Sequence, residues 1–209
     1  SEKINFSVPT GNFGDIYAGY IAKKMGLPIN KLIIATNKND ILKRVINSGV
    51  YKPKEVSQTI SPSMDIQVAS NFERLIFYIS SHDPKRTVQL MNDLKIKGEF
   101  KLEKQELEEI QNNFSSESIS ENETISMINE TYKQEGILVD PHTAVGIGAS
   151  KKISFNENII ILSTAHPSKF FEVVMKATDM KPELPENLKD ILINSSDLED
   201  NRFLYQQSF

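Results

Sequence analysis

The chain has 209 residues, 39% of them apolar and 25% charged, with a net charge of −4, three histidines and no cysteine. That length allows one substantial domain burying roughly 70% of its unfolded surface. The missing cysteines exclude disulfides, thiolate metal sites and a cysteine nucleophile. The acidic balance, with no clustered Lys/Arg face, argues against a nucleic-acid partner, and no run approaches the ~18 apolar residues of a membrane span. A cytoplasmic location is the resulting expectation.

Taken in order, Ile4 to Val8 has strand character and leads through Pro9 into Thr10-Gly11-Asn12-Phe13-Gly14-Asp15, after which apolar spacing turns helical over Ile16 to Met25. A strand, a loop with two glycines and a helix start form a place to hold an anion, because first-turn N–H groups lack partners inside the helix. The same G-x-x-G spacing also serves an ordinary strand-to-helix turn. Gly26-Leu27-Pro28 ends the helix, and Lys31 to Thr36 reads as a strand buried on both faces. The resulting βαβ unit places Gly11 to Asp15 and Thr36-Asn37 at the carboxyl edge of a parallel sheet, where such sheets bind ligands. Asn39 or Asp40 can cap the next helix, whose apolar face runs from Ile41 to Ile46.

Ser61 to Asp65 is a turn-rich link, and Phe72, Leu75, Ile76 and Ile79 then keep helical spacing. Residues 83 to 135 carry 12 acidic against 7 basic residues and sparse helical stripes. They read as a helical insertion beside the sheet with a solvated charged face, Phe114 to Ile119 being a candidate extended segment. Gly136 to Val139 is a further strand candidate. Asp140 and Pro141 then suit the cap and first position of a helix through Ala149. Asn158 to Ser163 is the clearest buried strand, followed by Thr164-Ala165-His166-Pro167 and a helix through Phe170, Phe171, Val173, Val174 and Ala177. Beyond Lys181 a short segment is expected to wrap the domain through Leu184, Leu188, Ile191 and Leu192.

TGNFGD, ATNKND, SPSMDIQVASNFERL, VDPHTAVG and LSTAHPSKF, in that order over about Ser7 to Val174, resemble threonine synthase. The resemblance implies an α/β fold, a mainly parallel sheet flanked by helices, belonging to the pyridoxal-phosphate fold type II (tryptophan synthase β-like) architecture. It implies pyridoxal phosphate as cofactor, with Gly11, Asn12, Phe13, Gly14 and Asp15 cradling its phosphate and Thr164, rather than Ser163, meeting the pyridine nitrogen. Asn37, Asp65, Asp140, His142 and His166 would lie on the substrate side or behind the site. A zinc pair of His142 and His166 lacks a third ligand, so no metal is expected.

The family's Schiff-base lysine belongs to a Phe-Lys-Asp type motif that does not occur here, and Lys169 falls in the motif on the pyridine side. The expectation is therefore a C-terminal part of the enzyme, residues 1 to 209 within the cofactor domain, with the catalytic lysine in a missing N-terminal part; a start at Ser1 suits such a piece. The implied substrate is O-phosphohomoserine, converted with water to threonine and phosphate. A non-catalytic binding domain on the same scaffold, serine/threonine dehydratase and cysteine synthase are the alternatives.

Overall fold

A computed structural model describes residues 3 to 153 and 158 to 185. The elements run β1 (Ile4–Pro9), α1 (Gly14–Lys24), β2 (Ile29–Thr36), α2 (Ile41–Ser48), β3 (Val50–Tyr51), a 3-10 turn (Pro62–Met64), α3 (Phe72–Ile79) and α4 (Pro84–Lys97). There follow β4 (Phe100–Lys101), α5 (Lys104–Asn113), β5 (Phe114–Ser118), α6 (Glu121–Glu135), α7 (Pro141–Ile153), β6 (Ile159–Ile161), a second 3-10 turn (Pro167–Phe170) and α8 (Phe171–Thr178).

The principal sheet has the order β5-β2-β1-β6 with every pair parallel. Strand β2 explains why its sequence is continuously apolar. Leu32 and Ile34 enter a large core with Phe13, Ile16 and Tyr20 of the α1 side, while Ile33 and Ala35 pack on Val145 and Ala149 of α7. Alternate side chains thus meet helices on opposite faces, as in a sheet covered on both sides. On β1, Ser7 turns its hydroxyl to the same helix and donates to the Gly146 carbonyl at 2.7 Å. A small antiparallel pair, β3 with β4, stacks Tyr51 on Phe100 with ring centroids 4.8 Å apart.

The chain goes from β1 outward to β2 and later β5, then returns to lay β6 on the other flank of β1. The order reverses between β1 and β6. A crevice opens where neighbouring connections leave in opposite directions, at the carboxyl ends of the strands.

Three local readings change. Gly136 to Val139 is not a strand: Gly136 closes α6 in the left-handed conformation at φ 69°, and Val139 is buried among Ile128, Ala144 and Val174 of the helices, away from any strand partner. The segment 83–135 is largely helical, yet it also supplies β4 and the edge strand β5, so it is part of the sheet as well as beside it. Strand β6 is short, and among the described residues it pairs on one side alone, leaving Ile160 45% exposed; a continuous apolar run does not reveal whether a strand is central or at an edge. The terminal segment lies outside the described residues beyond position 185, so Leu188, Ile191 and Leu192 have no structural account.

Candidate functional site

At the reversal between β1 and β6 lies a cleft of about 290 Å³. Its floor is the loop after β1, residues Thr10 to Asp15, and its walls are Ser63 and Met64, His142, and Thr164, Ala165 and Lys169. The carboxyl-end loops of β1 and β6 therefore converge, and Gly11 and Thr164 lie on one edge of the sheet.

The floor is shaped by the start of α1. Its first intrahelical bond runs from the Tyr17 N–H to the Phe13 carbonyl at 3.1 Å, and no side chain caps the helix. The N–H groups of Gly14, Asp15 and Ile16 therefore point out of the helix end with the positive pole of its dipole. Phe13 precedes them in the left-handed conformation at φ 67°, which costs a non-glycine residue about 1 kcal/mol. Its ring is what holds it there: 1% exposed, it meets Phe72 edge-on at 5.2 Å and Phe114 at 5.8 Å. So Phe13 offers the cleft its backbone, while its side chain belongs to the core.

The two glycines have different reasons. A Cβ at Gly11 would stand 2.5 Å from the Ser63 carbonyl oxygen and 3.3 Å from the Met64 Cα, so glycine is needed for one backbone to cross another. At Gly14 a Cβ would meet nothing nearer than the Asn71 side chain at 3.6 Å. Neither packing nor a positive φ requires glycine at position 14. Gly14 lines the cleft beside the outward N–H groups, an arrangement that fits a phosphate group.

Asn12 pins the loop from outside. Its side-chain oxygen accepts from the Ser70 N–H at 2.7 Å and the Ser70 hydroxyl at 3.0 Å, and its carbonyl accepts from the Asn71 side chain at 3.0 Å. Ser63, Met64, Ser70 and Asn71 were not singled out in the sequence. The one signal for them was that SPSMDIQVASN belongs to the same ordered set of motifs as TGNFGD.

Asn37 and Asp65 stand behind the wall of the cleft. One Asp65 oxygen accepts from Asn37 at 2.7 Å, Asn39 at 2.9 Å and the Thr59 hydroxyl at 2.7 Å, and the other accepts from the Thr59 N–H at 2.8 Å. Asn37 also donates to the Ser61 hydroxyl at 3.0 Å. The network fixes the 59–65 loop and with it Ser63 and Met64. Asp40 begins α2 without a side-chain cap, its carboxylate taken by Arg44 at 2.8 Å.

Asp140 caps α7, accepting from the His142 N–H at 2.8 Å, the Thr143 N–H at 3.4 Å, the Thr143 hydroxyl and the His142 Nδ1 at 2.9 Å. Burial pushes its carboxyl pKa up, but these bonds from His142 and Thr143 outweigh burial and hold it below the usual carboxylate range. His142 Nε2 accepts from the Ser63 N–H at 3.2 Å, so Nδ1 carries the proton that goes to Asp140. The ring packs on Phe170 at 4.8 Å. His166 is exposed and outside the cleft lining, where its Nδ1 accepts from the Ser168 N–H at 3.2 Å and caps the second 3-10 turn. Thr164 and Lys169 are exposed in the cleft. Among the described residues no three His, Cys, Asp or Glu side chains gather as a metal site would need, and no helix is long and apolar enough to cross a membrane.

A family profile described as "Threonine synthase, C-terminal" matches residues 143–201. Threonine synthase of Pseudomonas aeruginosa is 44% identical over 191 residues, covering 90% of this chain and 41% of that protein. The Saccharomyces cerevisiae enzyme is 42% identical over 217 residues, covering 91% and 42% respectively. Among solved structures, pyridoxal-phosphate-bound threonine synthase from Brucella melitensis superposes with a TM-score of 0.89 at 44% identity, covering 92% of this chain and 42% of that one. Yeast threonine synthase gives 0.84 at 40% identity, covering 91% and 43%. The parallel sheet, its flanking helices and these neighbours define an α/β chain of the pyridoxal-phosphate fold type II class. The chain matches the C-terminal part of threonine synthases and spans about two-fifths of the length of the curated relatives it resembles.

Proposed function

We propose that this chain is the C-terminal, cofactor-cradling part of a threonine synthase, which converts O-phosphohomoserine and water to threonine and phosphate with pyridoxal phosphate. The observation that carries the reading is the single cleft lined by both Gly11–Asp15 and Thr164, the residues that a cofactor's phosphate and pyridine nitrogen would need on one side of the sheet. The N–H groups of Gly14, Asp15 and Ile16 would hold the phosphate, with Gly14 giving it room. Asp15 also lines the cleft, and its exposed carboxylate would have to turn away from the phosphate that it repels. A neutral hydroxyl at Thr164 would meet the ring nitrogen. When bound, the cofactor supplies an electron sink for bond breaking next to the amino-acid carbon. The protein residues orient it and, with Ser63, Met64 and His142 forming the facing wall, limit the water that reaches it.

The lysine that would carry the cofactor and move protons lies, on this reading, in a preceding part of the protein. Lys169 belongs to the loop after Thr164, on the ring-nitrogen side, and is not that lysine. The test is phosphate release from O-phosphohomoserine. The complete protein with pyridoxal phosphate should release phosphate and form threonine, and show the near-visible absorbance of a lysine-bound cofactor. Residues 1–209 alone should do neither. Turnover by the 209 residues alone, abolished by Lys169→Ala, would overturn the assignment of the lysine. A complete protein that binds no pyridoxal phosphate would overturn the whole reading.

A further inference from the structure

The cleft wall opposite the glycine loop is held by one bond that the cofactor reading leaves unexplained. Ser63 sits where its carbonyl closes on Gly11, and its N–H is donated across the cleft wall to His142 Nε2 at 3.2 Å. The imidazole is fixed for that task. Its side chain is 4% exposed, its Nδ1 is bound to the fully buried Asp140, and its face rests on Phe170. Thr143, bound to the same Asp140, lies 3.5 Å from the hydroxyl of Ser163, the residue before Thr164. The start of α7 thus touches both loops that face the floor. The groups around His142 are Asp140 from its own helix, the Ser63 backbone from the 3-10 turn and the Phe170 ring ahead of α8, with Lys169 in the same cleft.

We infer that His142 is a positioning residue: as a neutral acceptor at Nε2 it sets the Ser63–Met64 wall against Gly11 and thereby the width of the cleft over the α1 start. It need not touch a ligand to do so. The inference rests on the cofactor reading for its consequence, but its structural half stands without it. The Ser63 N–H is held in a part-buried bond although the residue is exposed, so loss of the acceptor opens it to exchange and lets the segment relax.

Two amide-bearing substitutions divide the imidazole's two bonds. His142→Gln places an acceptor oxygen near the position of Nε2, whereas His142→Asn can replace only the group near Nδ1 that reaches Asp140. Amide exchange at Ser63 in the 209-residue chain and pyridoxal phosphate affinity of the complete protein are measured for wild type, Gln, Asn and Ala variants. The expected result is wild-type-like protection and affinity, within about threefold, for Gln, and about tenfold faster exchange with about tenfold weaker binding for Asn and Ala. Unchanged Ser63 exchange in the Ala variant would overturn the inference, as would Asn retaining both properties while Gln loses them. Faster exchange without weaker binding would show a wall that does not govern the cleft, and would also overturn it. In all these cases wild-type binding keeps the cofactor reading intact. A wild-type protein without affinity for pyridoxal phosphate would remove the reading and this inference together.

Discussion

Two helices start at the same edge of the sheet and face the same cleft, and they solve the problem of their unpaired N–H groups in opposite ways. At α7 the anion is built in: Asp140 lies at the cap, Pro141 at the first position, and the carboxylate accepts from the N–H groups of His142 and Thr143. At α1 no side chain caps the helix, the cap residue is a buried Phe13 in the left-handed conformation, and the first position is a glycine. A helix end that carries its own carboxylate has no use for a second anion. The α1 start has Asp15 in its first turn but no side chain bonded to its outward N–H groups, so these remain open beside the cleft. On the proposed reading, the uncapped start is the one that would bind a phosphate.

The strongest way to break the comparison is to close the open start. Gly11→Val puts a side chain 2.5 Å from the Ser63 carbonyl oxygen, a backbone atom that cannot step aside without moving the wall. Overpacking of this kind costs about 1–3 kcal/mol. Pyridoxal phosphate affinity of the complete protein, measured by titration, should fall by up to about a hundredfold, since 1.4 kcal/mol is a factor of ten. Unchanged affinity would mean that the phosphate lies elsewhere.

Next comes the loop that runs between the two helix starts. Asp65→Ala removes the acceptor shared by Asn37, Asn39 and Thr59, taking the partner of the Thr59 N–H and leaving Asn37 and Asn39 only their bonds elsewhere, as to Ser61 and Ser57. Urea unfolding should show a loss of about 2–3 kcal/mol, the scale for buried donors left unsatisfied. A loss below about 0.5 kcal/mol would assign Asp65 to ligand contact instead of loop support.

Gly14→Ala sharpens the distinction between the two glycines. The new Cβ has ordinary room within the protein, so stability should hold or rise slightly, by up to about 1 kcal/mol, through reduced freedom of the unfolded chain. On the proposed reading, phosphate-group affinity should nevertheless fall about tenfold, the added methyl crowding a group held at the α1 start. Affinity and stability falling together would make Gly14 a packing residue.

Much of this was legible in the sequence, and the rest was hidden for identifiable reasons. The alternation of strand and helix patterns located β1, α1, β2, α2, α3 and α7 within a few residues, because α2 and α3 bury a periodic apolar face and β2 is a nearly continuous apolar run. Asp140 and Pro141 announced the α7 start through side-chain chemistry confined to adjacent positions. Ser63 and Asn71 could not be read that way, because their importance comes from the Ser63 carbonyl and the Asn71 side chain being brought to Gly11 and Asn12 across more than fifty residues. The same holds for Gly11: its spacing suggested close approach to a phosphate, while its Cβ direction is filled by Ser63. Gly136 to Val139 misled because an apolar triplet looks alike whether it pairs with a strand or packs on helices.

The smallest effect concerns the closed start. Asp140 keeps its carboxyl below the usual range despite burial, because His142 and Thr143 donate to the charged form. A carboxyl whose pKa is depressed by folding contributes stability that is fully present above its unfolded value, about 3.9, and is lost as pH falls through the folded value. Asp140→Asn keeps the shape and an acceptor oxygen but removes the charge, so at neutral pH it should lower unfolding free energy by about 1 kcal/mol, the scale of a lost helix cap. As the pH falls from about 4 through the lower folded value, the wild-type carboxylate becomes protonated and the advantage shrinks and then disappears. Denaturation midpoints of the two proteins should therefore converge in acid and separate above it. Curves that stay parallel from neutral pH into acid would mean that the charge of Asp140 does not stabilise the α7 start, and the contrast with α1 would reduce to the presence or absence of a side chain at the cap.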